Sequence, residues 1–300
     1  MDGAPSLWVV LVGWNSHDDV LRCLEALQRQ TYPSLRIVLV DNGSSDGTAA
    51  AVRACFPHVR LFVLGSNHGF ARAVNIGLRY ALERGASYVL LLNPDTWFEP
   101  DTLTQLLAVA EADRRLGIAS PKIYLQRAPD HLWGVGGVLT DQGLRFYGLE
   151  ERDAGQYDAC QVDFLLGCAM LLRAEMLREV GLLDERFFVF CEEIDLCLRA
   201  RAAGWQVGLA PGVRLWHTGG ATTARRPTIR QFHLARSRMQ FLRKYRARFA
   251  LVPLIRSELV YLRKIISGFL RRGQLGSIVA YLRGTMSGLV DRTIFSRAQL

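Results

Sequence analysis

The chain has 300 residues, half of them hydrophobic and 22% charged, with glycine and proline at ordinary levels, which excludes collagen-like, low-complexity and disordered classes and leaves a globular protein with a real core. The net charge of +9 is lopsided: residues 225–300 carry 17 Lys and Arg against Glu258 and Asp291, a balance of +15, whereas the preceding 224 residues balance at −6. The six cysteines form no C-x-x-C pair and the N-terminus has neither a basic n-region nor a cleavage site, which argues against a zinc knuckle and for a reducing, cytoplasmic setting.

In chain order, "LWVVLV" (7–12) predicts a strand and the spacing from Asp18 to Leu27 a helix. "LRIVLVD" (35–41) is a second strand, followed by the loop "NGSSDGT" and a helix over 49–56 that Ser45 or Asp46 can cap. "VRLFVLG" (59–65) is a third strand, and Phe70, Val74, Leu78 and Ala81 recur at helical intervals. "SYVLLL" (87–92) is a fourth strand and 101–113 a helix. This alternation predicts βαβ units around a mostly parallel sheet covered on both faces. After Pro121 the alternation breaks. Glycine-rich hairpin material follows at 133–148, then a strand at 162–173, helices over 174–188 (turning at Gly181) and 192–204, and two short strands, "WQVGLAP" and "VRLWHTGG".

Such sheets bind ligands at the C-terminal ends of their strands. That rule singles out Trp14-Asn15, Asp41-Asn42-Gly43, Gly65-Ser66-Asn67 and Asn93-Pro94-Asp95, all just past a predicted strand. A helix N-terminus behind Asn67 and Gly69 would attract anionic groups. Taken singly, each has a plain structural reading as a turn, a cap or an Asx-turn.

Seven motifs in one order resemble the family 2 glycosyltransferases of the GT-A fold, and in particular the rhamnosyltransferase-like branch that builds bacterial surface polysaccharides. They are "WN" (14–15), "VDNGSSDGT" (40–48), "NHGFARAVNIG" (67–77), "LLNPDT" (91–96), "GCAMLLR" (167–173), "GLLDERFFVFCEEIDLCLR" (181–199) and "WHTGG" (216–220). The resemblance implies a GT-A catalytic domain over 1–224, with a nucleotide-binding half at about 1–120 and an acceptor half at about 121–224, before a basic amphipathic helical tail at 225–300. It also implies an inverting, metal-dependent transferase that moves a sugar from a nucleoside diphosphate donor to a hydroxyl of a glycan or polyprenyl-linked acceptor. The preferred donor is dTDP-rhamnose, with a UDP-hexose as the alternative.

Residue by residue, the resemblance makes Asp41 the acceptor of a pyrimidine N–H. Asn15, Asn42, Asn67, Gly69, Arg72 and Asn93 become nucleotide contacts. In place of the family's D-x-D stands Asn93-Pro94-Asp95, so Asp95 is the expected ligand of Mg²⁺ or Mn²⁺ and Asn93 supplies one charge fewer. His217 becomes a metal or phosphate partner, and Thr222, Thr223, Arg225 and Arg226 a loop closing over the diphosphate. Gly167, Cys168 and Asp195 are placed near the sugars. The base is expected in "CEEIDLCLR", at Glu193 by position, with Glu192 second and Asp195 pairing with Arg199. Three acids within four residues repel one another, which raises a carboxyl pKa toward neutrality.

No run reaches 18 uninterrupted apolar residues, so the tail is read as peripheral on an anionic inner membrane face and not as a spanning segment. The rival readings are a nucleic-acid-binding protein, which leaves the acidic clusters unexplained, and a catalytically inactive binder of nucleotide sugars. No nucleic acid is expected as a partner.

Overall fold

The computed structural model describes residues 4–219 and 226–291. Its elements are β1 (Leu7–Gly13), α1 (His17–Gln28), β2 (Leu35–Asp41), α2 (Thr48–Cys55), β3 (Arg60–Val63), α3 (Phe70–Glu83), β4 (Tyr88–Leu92), β5 (Thr96–Trp97), α4 (Thr102–Ala112) and β6 (Leu116–Leu125). They continue through β7 (Ala128–Gly134), β8 (Gly136–Thr140), β9 (Gly143–Tyr147), β10 (Ala169–Arg173), α5 (Ala174–Val180), α6 (Glu192–Ala202) and β11 (Gln206–His217). Three helices close the described chain: α7 (Pro227–Lys244), α8 (Leu251–Arg271) and α9 (Leu275–Val290).

The main sheet runs β3-β2-β1-β4-β10-β6-β11-β5, with β7 beside β6. The strands β3, β2, β1 and β4 are mutually parallel, and β10 runs against both β4 and β6. The period-2 geometry of a strand sorts β1 between two cores. Trp8, Val10 and Val12 face the layer holding α3, α5 and α6, while Leu7, Val9 and Leu11 face α1 and α4. Both faces are covered, which is why β1 reads as an unbroken apolar run. A β-carbon on Gly77 of α3 would sit 2.5 Å from Val10 Cγ1, so that helix lies on the sheet at a distance only glycine allows.

From β1 the chain steps outward to β2 and β3, then α3 crosses the other face and returns it to β4 on the far side of β1. The order reverses between β1 and β4, and the crevice lies at such a switch point. Because β10 is antiparallel, its start meets the end of β4: Asn93 N–H donates to Cys168 O at 2.8 Å. The strand β11 is parallel to β6 and ends at the same edge.

Two sequence expectations change and one strand is added. The strand–helix alternation breaks after Pro121 as expected, but Pro121 itself lies inside a strand, β6, that is buried at all ten positions. Proline is tolerated in it since β10 pairs only at Ile118 and Ala119, β7 pairs only from Ile123, and β11 breaks register between Ala210 and Arg214 beside Pro121. The strand expected over 162–173 is confined to 169–173. The two short strands expected after α6 are one bulged strand, β11. The hairpin expected over 133–148 is present as β8–β9.

Charge draws a boundary at 224/225, but the core crosses it. Phe241 and Leu242 of α7 belong to the same cluster as α3 and α6, and Ser237 Oγ donates to Val189 O at 2.7 Å. The polar ends of α7 are tied down as well: Lys244 bridges to Asp184 at 2.7 Å and to Asp195 at 2.5 Å.

Candidate active site

The first strand end is stitched to the second. Asn15 adopts φ +49°, a left-handed conformation that asparagine tolerates. Its N–H donates to Ser44 Oγ at 3.0 Å, and its Oδ1 accepts the Ser45 N–H at 2.8 Å. Asp41, 1% exposed, accepts the Ser44 N–H three residues on at 3.0 Å, and not the Gly43 N–H that an Asx-turn would use. Asn42 is spent on structure. Its amide donates to Asn67 Oδ1 and Gly69 O, both at 3.1 Å, and its Oδ1 accepts the His68 N–H at 2.9 Å. Its side chain therefore braces the β3–α3 loop instead of facing a nucleotide.

That loop in turn supports the segment that leads into α6. Gly69 has φ +89°, and a β-carbon there would lie 2.7 Å from Phe188 O, while the Phe70 N–H donates to that same carbonyl at 2.6 Å. Arg72 is exposed one turn into α3. Asn75 is buried and holds Leu183 through both backbone groups, at 2.8 and 3.0 Å.

At the fourth strand end, Thr96 Oγ1 donates to Asn93 O at 2.7 Å and shapes the turn. Asp95 Oδ1 meets His217 Nε2 at 3.0 Å, and the Thr218 N–H donates to Asp95 O at 3.0 Å. Thus β4 and β11, 122 residues apart, deliver one carboxylate and one imidazole to one point. Burial opposes a charged imidazole at His217, but the Cys168 sulfur and the Asp95 carboxylate beside it outweigh burial and push it up to about 10. Trp133 packs edge-on against His217, 4.7 Å between centroids, and Trp216 against Trp97 at 4.8 Å. Both tryptophans therefore serve packing.

Among the described residues no group of three or more His, Cys, Asp or Glu could hold a metal by itself. The Asp95–His217 pair still fits a divalent cation. Without metal the imidazole keeps its proton against Asp95; a cation would have to displace that proton, after which a hard carboxylate with a neutral imidazole suits Mn²⁺, whereas Mg²⁺ takes one or two carboxylates with substrate phosphates and water completing its shell.

The third component is the start of α6. Phe190 and Cys191 stand at φ +73° and +69°, two successive non-glycine residues in a region that costs each of them roughly 1–2 kcal/mol. Local strain of this kind collects where geometry serves function, and here it aims Glu192 and Glu193. Each of them has a buried Oε2 with no hydrogen-bond partner. A β-carbon on Gly167 would lie 3.2 Å from Glu193 Cβ and Cγ, so Gly167 leaves room for that side chain next to the start of β10. Burial lifts Glu193 from 4.5 to about 7. Burial first, and then the charge of Glu193, lifts Glu192 well above its ordinary range.

Two residues expected at the sugars lie under the rim instead. Cys168 is fully buried beneath His217. Asp195 is 0% exposed and wholly engaged by Arg199 at 2.9 Å, Tyr245 Oη at 2.8 Å and Lys244. Its pairing with Arg199 is as expected, and its role is to anchor α6. Arg226 lies with its guanidinium over the Trp14 ring at 4.8 Å, whereas Gly220, Thr222, Thr223 and Arg225 lie outside the described residues. Lys244 and Tyr245, some 50 residues downstream of Asp195, carry no sequence motif that would have revealed them.

The Glycosyl transferase family 2 model matches residues 8–181. An N-acetylglucosaminyl-diphospho-decaprenol L-rhamnosyltransferase of Mycobacterium tuberculosis is 29% identical over 253 residues, covering 76% of this chain and 80% of that protein. The dTDP-rhamnosyl transferase RfbF of Shigella flexneri is 24% identical over 252 residues, 80% of each chain. Among solved structures, the mannosyltransferase PcManGT from Pyrobaculum calidifontis, in complex with GDP-Man and Mn²⁺, superposes with a TM-score of 0.63 at 18% identity over 97% of this chain and 89% of that one. The GT-A-like fold expected from the seven motifs is therefore present, and the chain belongs to glycosyl transferase family 2.

Proposed function

We propose that the chain is an inverting rhamnosyltransferase that takes its sugar from dTDP-rhamnose and passes it to a hydroxyl of a polyprenyl-diphosphate-linked glycan on the cytoplasmic face of the membrane. The observation that carries the reading is the pairing of two partnerless carboxylate oxygens at the start of α6 with an Asp95–His217 pair across the strand ends. The printed names of the Mycobacterium and Shigella relatives support the choice of sugar and acceptor.

In this reading Asp41 accepts an N–H of the pyrimidine base, and Asn15, Asn67 and Asn93 line the nucleoside. Asp95 and His217 would hold Mg²⁺ or Mn²⁺, which when bound neutralises charge on the diphosphate leaving group. Glu193 takes the proton of the acceptor hydroxyl as that oxygen attacks the anomeric carbon from the face opposite the diphosphate. Glu192, whose ionisation is suppressed by burial and then by the charge on Glu193, stays protonated and leaves the base role to its neighbour. Arg226, stacked on Trp14, waits at the β1 end for the phosphates.

The test is a donor screen: release of nucleoside diphosphate from dTDP-rhamnose, UDP-glucose, UDP-galactose and GDP-mannose, each with Mg²⁺, Mn²⁺ or EDTA, with and without a lipid-linked N-acetylglucosamine acceptor. Turnover of dTDP-rhamnose that depends on acceptor and metal is expected. Preference for a UDP-hexose would move the donor assignment, and turnover unaffected by EDTA would remove the metal role.

A further inference from the structure

The helices α8 and α9 expose apolar side chains that nothing in the described chain covers. On α8, Val252, Ile255 and Leu259 are 76%, 50% and 61% exposed; on α9, Val279, Leu282 and Met286 are 56%, 42% and 59% exposed. Both sets follow the same i, i+3, i+7 spacing, which aligns each on one helix face. The opposite face of α9 is the packed one, with Gly284 and Gly288 set against the backbone of α7. The outward stripe is therefore not a core face caught facing the wrong way.

Charge on these helices is sorted as well. Arg256, Arg263, Lys264, Arg271, Arg272 and Arg283 are all exposed. The acids turn inward, Glu258 onto Arg238 and Asp291 onto Arg236 at 3.0 Å and Gln240 at 2.7 Å. The outer surface of α8–α9 thus presents apolar residues and positive charge with no exposed acid between residues 251 and 290. An isologous contact with a second copy would bring these cations against their own kind. A nucleic acid would use the cations and leave the apolar stripes wet. An anionic lipid surface satisfies both, with apolar side chains below the headgroups and Arg and Lys among the lipid phosphates. No described helix is long and apolar enough to cross a membrane.

We infer that the outer faces of α8 and α9 form a two-helix interfacial platform that docks the enzyme on an anionic bilayer by shallow insertion of their apolar stripes. This deepens, and rests for its purpose on, the reading of a polyprenyl-linked acceptor, but its test needs no sugar. The full chain is floated with vesicles of phosphatidylcholine alone and of phosphatidylcholine with phosphatidylglycerol, beside the triple variant Leu259→Glu, Val279→Glu, Met286→Glu. Wild type is expected to float with the anionic vesicles and the variant to bind at least about tenfold more weakly, while donor hydrolysis in detergent-free buffer and the melting temperature stay unchanged because the three side chains are exposed. Equal flotation of the two proteins, or no flotation of wild type, overturns the platform. A wild-type dimer that the substitutions dissociate, without vesicle binding, makes the face a self-association surface and overturns it too. Loss of donor hydrolysis in both proteins with normal flotation would instead count against the proposed reaction alone.

Discussion

Two neighbouring glutamates on one helical turn differ in what their surroundings allow. Glu193 is lifted to about 7 by burial, with backbone N–H groups at the helix start opposing the rise, and Glu192, 4% exposed, is also lifted well above its ordinary range. A base must be ionised to accept a proton, so kcat/KM is expected to rise with pH through about 7 and then level; a profile flat from pH 5 to 8 would exclude Glu193. Stability moves the other way. A carboxyl whose folded pKa is raised stabilises the fold below its unfolded pKa near 4.5 and loses that contribution as pH climbs through about 7, so urea midpoints should fall from pH 4.5 to about 7 and then level. Glu193→Gln is expected to lower transfer by roughly 10²–10⁴-fold, to leave donor binding by calorimetry in place, and to make that stability trend shallower, Glu192 keeping its own share. At the opposite wall, Asp95→Ala is expected to abolish metal-dependent donor binding, while Asp95→Asn retains the fold through the backbone carbonyl that receives Thr218.

At the scale of elements, the β3–α3 loop and the start of α6 are built as one piece. Gly69 touches Phe188, and two residues later Phe190 and Cys191 turn through positive φ to launch α6. Gly69→Ala would strain a left-handed backbone and push a methyl into the Phe188 carbonyl, so a loss of about 1–3 kcal/mol is expected. That loss should come with a fall in kcat larger than any rise in KM for donor, since the displaced element carries the proposed base; unchanged kcat would uncouple the loop from α6. The alternating first half of the chain was legible because each element is periodic and each functional carboxylate follows a strand directly. The strand β6 was not, because a strand interior seldom holds proline, and only the structure shows that neither β10 nor β7 pairs at Pro121. Cys168 and Asp195 were misplaced for a related reason: a motif reports which residues stand together, but not which of them face the crevice and which brace it from below. Asn42 looked like a ligand for the same cause, its amide being consumed by partners 25 and 27 residues away.

Over the whole molecule, the basic C-terminal quarter is not an appendage hung on a finished enzyme. Its first helix fills the core with Phe241 and reaches Asp195 through Lys244 and Tyr245, so α6, which carries the proposed base, is held from behind by α7. The helix α7 is held in turn by α9, where Arg243 Nη1 donates to Gly288 O and Asp291 O, each at 2.7 Å. The close approach of α9 to α7 is made at Gly284, whose absent β-carbon would lie 2.1 Å from Phe232 O. This gives a test whose sign discriminates. Were α9 an independent tail helix, Gly284→Ala would stabilise it by about 1 kcal/mol through helix propensity. If it is the outer layer of the catalytic body, the same methyl must drive α9 off α7, at a cost of about 1–3 kcal/mol. For a chain of this size that corresponds to a fall of at least about 2 °C in Tm. The transfer rate should fall with it, because loosening α7 releases Lys244 and Tyr245 from Asp195. Calorimetric melting of Gly284→Ala against wild type reads the sign directly, and a rise in Tm would detach the C-terminal helices from the enzyme they stand behind.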